Sequence, residues 1–369
     1  MEKVDIAIIG AGVIGLAASY VLSGGDKEIL VIERNDSFGQ EISSRNSEVI
    51  HGGIYYPKDS FKSRTCIRGR DLLYELCARH NIPHKKLGKL LVACDKVEIE
   101  KLEAIYRNAT HCGVDNLRFL EKQEIKKMEP DVSAERALFC PDTGIIDSHS
   151  LMKFFFNASK EKGVDFAFGV EVIGIEKRAS YYQITVKEPQ GEHFSFQAKA
   201  VINSAGLDSD KIAEMVGIDA ENCSYRLHYC KGQYFRIRNP KKFSITHPVY
   251  PPPTNIDLGI HVTPDLADGL RLGPDAKYVR QIDYNINDDD KPGFFQSVKR
   301  FLNGLELDDL IQDTAGIRPK LQTESEDFRD FVISNEEEKG FPNFINLIGI
   351  ESPGLTSCLA IAETVKRLL

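Results

Sequence analysis

Residues 4–33 read VDIAIIGAGVIGLAASYVLSGGDKEILVIE, and the order of patterns within them decides the fold. Residues 4–9 are a nearly continuous apolar run, as in a parallel strand buried on both faces. Gly10-Ala11-Gly12-Val13-Ile14-Gly15 follows at once. A helical pattern then covers 16–22, Gly24-Gly25 stops it, and a second apolar run over 29–32 ends in Glu33, 18 residues beyond Gly15. The spacing predicts a βαβ unit whose first turn wraps a diphosphate. Gly10 permits the tight turn, Gly12 lets the backbone approach the phosphates, and Gly15 allows close helix-to-strand packing, with the helix dipole aimed at the anion. An acid at position 33 would accept hydrogen bonds from a ribose diol. It disfavours a 2′-phosphate, which leaves FAD or NAD rather than NADP.

Outward from this unit, 369 residues, 42% apolar and 28% charged, suit a globular α/β chain of two or three lobes at roughly 150 residues per domain. The net charge of −8 argues against nucleic acid or an anionic membrane as the main partner, while a local pocket can still take a small anion. Eight cysteines at 66, 77, 94, 112, 140, 223, 230 and 358 form no CxxC pair and no cluster with histidine. They are expected to be reduced thiols of a cytosolic protein, with no metal site. Nothing ahead of Val4 resembles an export leader, and no apolar run reaches the length of about 18 residues that spans a bilayer. Peripheral contact with a membrane stays compatible with the sequence.

After Glu33 comes Ser43-Ser44-Arg45-Asn46-Ser47, then Val49-Ile50-His51-Gly52-Gly53-Ile54-Tyr55-Tyr56-Pro57. Small, hydroxylated, glycine-rich backbone of this kind can lie flat against a bulky ring and its ribityl chain. Here the chain resembles FAD-dependent oxidoreductases of the D-amino-acid oxidase and glycerol-3-phosphate dehydrogenase superfamily, and within it the L-2-hydroxyglutarate dehydrogenase/oxidase branch. Further blocks agree in order: 143–149 (TGIIDSH), 201–206 (VINSAG), 229–235 (YCKGQYF) leading to 249–251 and 259–264, 316–319 (GIRP) and 346–356 (NLIGIESPGLT). The resemblance covers essentially the whole chain.

It implies a Rossmann-like FAD-binding domain with a central parallel sheet, discontinuous over 1–80, 143–222 and 311–369. A substrate domain on a mixed or antiparallel sheet would cover 81–142 and 223–310. Besides Gly10, Gly12, Gly15 and Glu33, it carries Arg34, Ser43, Ser44, Arg45, Asn46, Ser47, His51 and Gly52 over as cofactor contacts. Val172, Ala205, Gly206, Gly316 and Gly349 join them, as do Ser352, Pro353, Gly354, Leu355 and Thr356 at the start of the last helix. That helix start would face the flavin pyrimidine and stabilise charge on the reduced ring.

The implied reaction oxidises a 2-hydroxy acid, L-2-hydroxyglutarate to 2-oxoglutarate, by hydride transfer to flavin N5. The alternatives are glycerol 3-phosphate and an amino acid. Oxygen, a quinone or an electron-transfer protein would take the electrons onward. Such chemistry needs a base for the hydroxyl proton and cations for the acid groups. His51 is the candidate base, because its ordinary pKa of about 6.5 suits proton abstraction near neutrality. Arg318, on an expected strand, is the candidate fork for the α-carboxylate, a geometry lysine cannot copy. A dicarboxylate needs a second cation, and Lys320, Lys231 and His261 all stand as candidates. Tyr55, Tyr234 and Tyr250 are expected to line the substrate cavity.

Elsewhere the pattern predicts helices over 96–112 and 121–128, strands over 89–93 and 137–139, and a meander over 170–177, 182–186 and 194–199 ahead of a separate buried strand at 198–202. The acidic runs 288–290 and 336–338 read as solvated turns.

Overall fold

The computed structural model describes residues 2–253 and 259–369. In the opening unit, β1 (Lys3–Ile9) and β2 (Ile29–Glu33) run parallel, Ile6 opposite Ile29 and Ile8 opposite Val31, with α1 (Val13–Leu22) between them. Ala7 and Ile8 are wholly buried, as a strand covered by helices on one side and further chain on the other demands. Small side chains on α1 let it pack closely against Gly354–Leu368 and Ser148–Glu161. Ser19 Oγ lies 2.9 Å from Ser159 Oγ there.

The other edge of β1 is taken by His193–Asn203. The sequence divides this stretch between the meander and a separate strand, whereas the structure makes it one. Its first half pairs antiparallel with Tyr182–Lys187, and its second half pairs parallel with β1 and with Phe344–Ile348. Burial along it changes accordingly, from alternating to continuous. Asp165–Phe168 extends the sheet beyond β2, again parallel.

A second, mixed sheet carries Arg118–Glu121, Arg136–Cys140, Lys89–Ala93, Val249–Tyr250, Val262–Pro264, Leu270–Leu272, His228–Ile237, Lys277–Val279 and Leu310–Lys320. Its one parallel pairing among the described residues joins Lys89–Ala93 to Val249–Tyr250. Leu310–Lys320 pairs antiparallel with His228–Ile237, Arg318 opposite Cys230. This strand therefore belongs to the second sheet and not, as the sequence division at residue 311 has it, to the cofactor half. Its hydrogen-bond partner decides its place. Phe235 and Phe294, edge to face at 4.8 Å, centre the core of this half. A third, small sheet of Val49–Ile50, Gly144–Ile146 and His84–Lys85 ties the loop after β2 to the helix Ser148–Glu161, which Asp147 caps by accepting the Ser150 N–H.

The acidic runs are not both solvated. Glu336 is fully buried and accepts from Tyr225 at 2.9 Å, Asn346 at 3.0 Å and Lys339 at 2.7 Å, the partners a buried carboxylate requires. All eight cysteines are free thiols. Among the described residues no helix is long and apolar enough to cross a membrane.

A Cβ at Gly15 would lie 2.0 Å from the Gly10 carbonyl oxygen, so Gly15→Ala must lift α1 off the first turn. Overpacking of this kind costs about 1–3 kcal/mol, and the variant should show a lower thermal unfolding midpoint by scanning fluorimetry. An unchanged midpoint would show that the turn opens freely.

Candidate active site

The ends of the parallel strands and the inner face of the second sheet enclose a cavity of about 710 Å³. One end is the first turn, where Gly10, Gly12 and Val13 face Ala205 and Gly206. The backbone is bare by necessity here: a Cβ at Gly10 would meet the Ser204 carbonyl oxygen at 2.6 Å, and one at Gly12 would meet Ser43 Oγ at 3.0 Å. Helix α1 starts at Gly12 without a side-chain cap of its own. Ser43 Oγ instead accepts the Val13 N–H at 2.9 Å. Glu33, at the end of β2, accepts the Ala11 N–H at 2.8 Å on Oε2 and the backbone N–H and Nδ2 of Asn35, both at 2.9 Å, on Oε1, which fixes both flanks of the turn and leaves a lone pair on Oε2. Bare turn, uncapped helix start and strand-end acid fit an adenine dinucleotide. Arg34 is held beside them by Asp208 and by Glu41 at 3.5 Å.

Arg45, Asn46 and Ser47 continue the wall. The loop fits against the second sheet because Gly316 has no side chain, a Cβ there lying 2.2 Å from the Arg45 carbonyl oxygen. Arg45 stacks its guanidinium 4.1 Å over the Tyr284 ring, and Ser47 Oγ bonds the Tyr234 hydroxyl at 2.8 Å. Val172 lines the wall as well, and Ser352, Pro353, Gly354 and Leu355 bring in the uncapped N-terminus of the last helix. Five of the expected contacts stand off the wall. Gly15 packs on Gly10, Gly52 on Cys140 and Gly349 on Leu321; Ser44 bonds the Glu41 carbonyl. Thr356 Oγ1 accepts the His51 N–H at 3.0 Å and donates to the Val49 carbonyl at 3.3 Å, and so holds His51 in place from behind.

At the far end the cavity gathers His51, Tyr55, Tyr234, Tyr250, His261, Arg318 and Lys320. His51 Nε2 lies 3.2 Å from Ser352 Oγ, while Nδ1 is buried with no partner. Burial pushes the imidazole down from its ordinary value to about 3, and the Lys89 ammonium adds to the effect. The expected titration near 6.5 is thereby corrected: desolvation favours the neutral imidazole. Arg318 lies across Gly232 and donates from Nη2 to the carbonyls of Asp275 and Lys231 and from Nε to that of Cys230 at 3.5 Å, which fixes the guanidinium. His261 stacks on Tyr250 with ring centroids 3.5 Å apart. Lys231 is absent from this wall and pairs with Asp283 at 2.9 Å.

Three charged groups, Lys62, Lys89 and Glu351, escaped the sequence reading. Lys62 and Lys320 both bind Glu351, at 3.0 and 3.2 Å, and all three are buried on the cavity wall. Burial alone would raise the Glu351 carboxyl, but the two ammonium groups overcome it and hold it at about 2. Lys89, whose burial pushes it down to about 8, sits behind Tyr55 and Tyr250. An acid inside the apolar, glycine-rich 346–356 segment was the one available signal for Glu351; nothing in the sequence marks Lys62 or Lys89. Glu351→Gln would leave two buried lysines facing each other and should cost about 3–5 kcal/mol, read as a lower urea midpoint. The wild-type carboxylate, held below its ordinary 4.5, stabilises the fold above that value and loses this effect as pH falls toward 2. The gap between the two proteins should therefore be widest near neutrality and narrow in acid.

Known proteins resemble this chain in sequence and in fold. The model of the DAO family, FAD dependent oxidoreductase, matches residues 5–368. An L-2-hydroxyglutarate dehydrogenase, mitochondrial, of Arabidopsis thaliana is 36% identical over 99% of this chain and 83% of its own. A glycerol 3-phosphate dehydrogenase of Caloramator mitchellensis is 30% identical over 99% and 73%. Among solved structures, the dithionite-reduced L-alpha-glycerophosphate oxidase of Mycoplasma pneumoniae with FAD bound superimposes with a TM-score of 0.88 at 27% identity, covering 100% of this chain and 95% of that one. The dinucleotide these residues fit is FAD, and the chain belongs to the DAO family of FAD-dependent oxidoreductases.

Proposed function

We propose that the chain oxidises L-2-hydroxyglutarate to 2-oxoglutarate. Bound FAD supplies the two-electron acceptor; the chain's own residues hold the acid groups, take the hydroxyl proton and exclude water. The observation that carries this reading is that His51 and a fixed Arg318 guanidinium line one cavity, with burial lowering the affinity of the imidazole for a proton. The 36% identity with a full-length L-2-hydroxyglutarate dehydrogenase supports it.

Arg318 holds the α-carboxylate in a fork and so orients the adjacent carbinol. His51 accepts the hydroxyl proton at Nε2, because Nδ1 is buried out of substrate's reach. Ser352, 3.2 Å from that nitrogen, keeps it solvated by one hydroxyl until the substrate takes its place. The Thr356 staple on the His51 backbone holds the base against the last helix. The dianion itself opposes the influence of Lys89 and raises the imidazole's affinity for a proton once bound.

A second reading, oxidation of glycerol 3-phosphate, draws on the Caloramator relative and the Mycoplasma oxidase, since Arg318 suits a phosphate equally well. Anaerobic titration of the flavin absorbance separates the two. Selective bleaching by the L enantiomer of 2-hydroxyglutarate supports the first reading, and bleaching by glycerol 3-phosphate instead replaces it with the second.

His51→Ala should slow bleaching by at least about 100-fold; fast bleaching in that variant removes His51 from the chemistry. Because the free imidazole protonates only near 3, the apparent second-order rate constant for bleaching should stay flat from about pH 7.5 down to about pH 5.5, with no limb at the ordinary histidine value. A fall centred near 6.5 in stopped-flow measurements would contradict the neutral resting state.

A further inference from the structure

Four lysines of the described residues are buried: Lys62, Lys89, Lys231 and Lys320. Lys62 and Lys320 share Glu351, and Lys231 has Asp283. Lys89, with no exposed surface at all, has no carboxylate within ion-pair distance among the described residues. Around it stand the thiols of Cys66 and Cys140, the imidazole of His51 and the phenols of Tyr55 and Tyr250. Burial pushes Cys66 up to about 12, so that neighbour brings no negative charge near neutrality. An ammonium in such a place is costly unless an anion comes to it.

The geometry shows where the anion would come from. Lys89 Nζ donates to the Tyr55 hydroxyl at 3.1 Å and lies over the rings of Tyr55 and Tyr250, 4.4 and 4.6 Å from their centroids. An ammonium carries no acceptor, so the Tyr55 oxygen must accept and its own hydrogen must point away from Lys89. Among the described residues Tyr55 has no other hydrogen-bond partner. The Tyr250 hydroxyl, fully buried, lies near that of Thr263, yet neither completes a bond of good geometry. Both tyrosines line the cavity that holds His51 and Arg318, while Lys89 stands behind them.

We propose that Tyr55, backed by Lys89 and flanked by the ring of Tyr250, forms the second anion site of the cavity and takes the acid group of the substrate that Arg318 does not hold. This rests on the hydroxy-dicarboxylate reading above. Lys89 is a positioning residue: it fixes Tyr55 as a donor toward the cavity and supplies the charge the phenol lacks. Lys320, held by Glu351, is then a wall residue rather than the distal clamp, and His261 supports the site by stacking on Tyr250. The device selects for dicarboxylates, because a monocarboxylate leaves the buried ammonium without a counter-ion.

The test uses the FAD-loaded protein and anaerobic bleaching with L-2-hydroxyglutarate and, as the monocarboxylate control, L-2-hydroxybutyrate. In Lys89→Met the Kd for the dicarboxylate should rise at least about tenfold, the loss of one charge-assisted contact. The Kd for L-2-hydroxybutyrate should stay within about threefold, since that ligand has no distal acid group. Tyr55→Phe keeps the lysine, removes the donor and should show the same split; it decides the matter if Lys89→Met does not retain FAD. Equal weakening of both ligands, or an unchanged dicarboxylate Kd, overturns the proposal. Glutarate, followed by its perturbation of the flavin spectrum, separates this site from the substrate assignment. If L-2-hydroxyglutarate never bleaches the wild type, the assignment fails. The anion site still stands if glutarate binds at least about tenfold more weakly to Lys89→Met, and falls with the assignment if it does not.

Discussion

One backbone contact governs the distances in this cavity. The carbonyl of Arg45, in the loop that leaves the first sheet, lies so close to the α-carbon of Gly316 that a methyl group there would stand 2.2 Å from the oxygen. Contacts between main chains have no rotamers with which to adjust. The loop continues to His51 and Tyr55, and the strand continues to Arg318 and Lys320. Pressing Arg45 onto Gly316 therefore sets how far the candidate base stands from the candidate anion fork. Arg45 over Tyr284 and Ser47 on Tyr234 reinforce the same seam from either side.

Charge inside the cavity runs against charge on the whole chain. A net −8 surrounds a wall that carries Lys62, Lys320 and Arg318, with Lys89 behind it. Glu351 offsets one of the first two charges and leaves one shared between Lys62 and Lys320, and in that buried setting its carboxylate stays ionised far below the usual range. What remains for an incoming anion is the excess positive charge of this cluster, Arg318 and Lys89. Low dielectric and fixed geometry make a few such groups matter more than the surface total. The same burial keeps His51 neutral, so a group chosen for its ordinary pKa owes its readiness as a base to desolvation instead.

The local parts of the fold were legible in the sequence. A strand buried on both faces, a turn in which Gly10 takes a φ of +98°, and a helix that touches the turn at Gly15 each depend on neighbours within a dozen residues, so periodicity and glycine spacing reveal them. The flavin loop and the last helix start were readable through family resemblance, since small residues alone do not say what they pack against. His193–Asn203 as one strand serving two pairings, Leu310–Lys320 in the second sheet and the burial of Glu336 were not readable. Each follows from a partner that only the folded chain supplies. The same holds for Lys62, which meets Glu351 from 289 residues away, and for Lys89, which reads as an ordinary charge beside a strand until two tyrosines close over it. Sequence by itself determined the cofactor turn and the kind of fold, because those are set by sterics along the chain. Tertiary structure alone decided which charges are buried, which of them are neutralised and which groups face the cavity, because desolvation and pairing act through space.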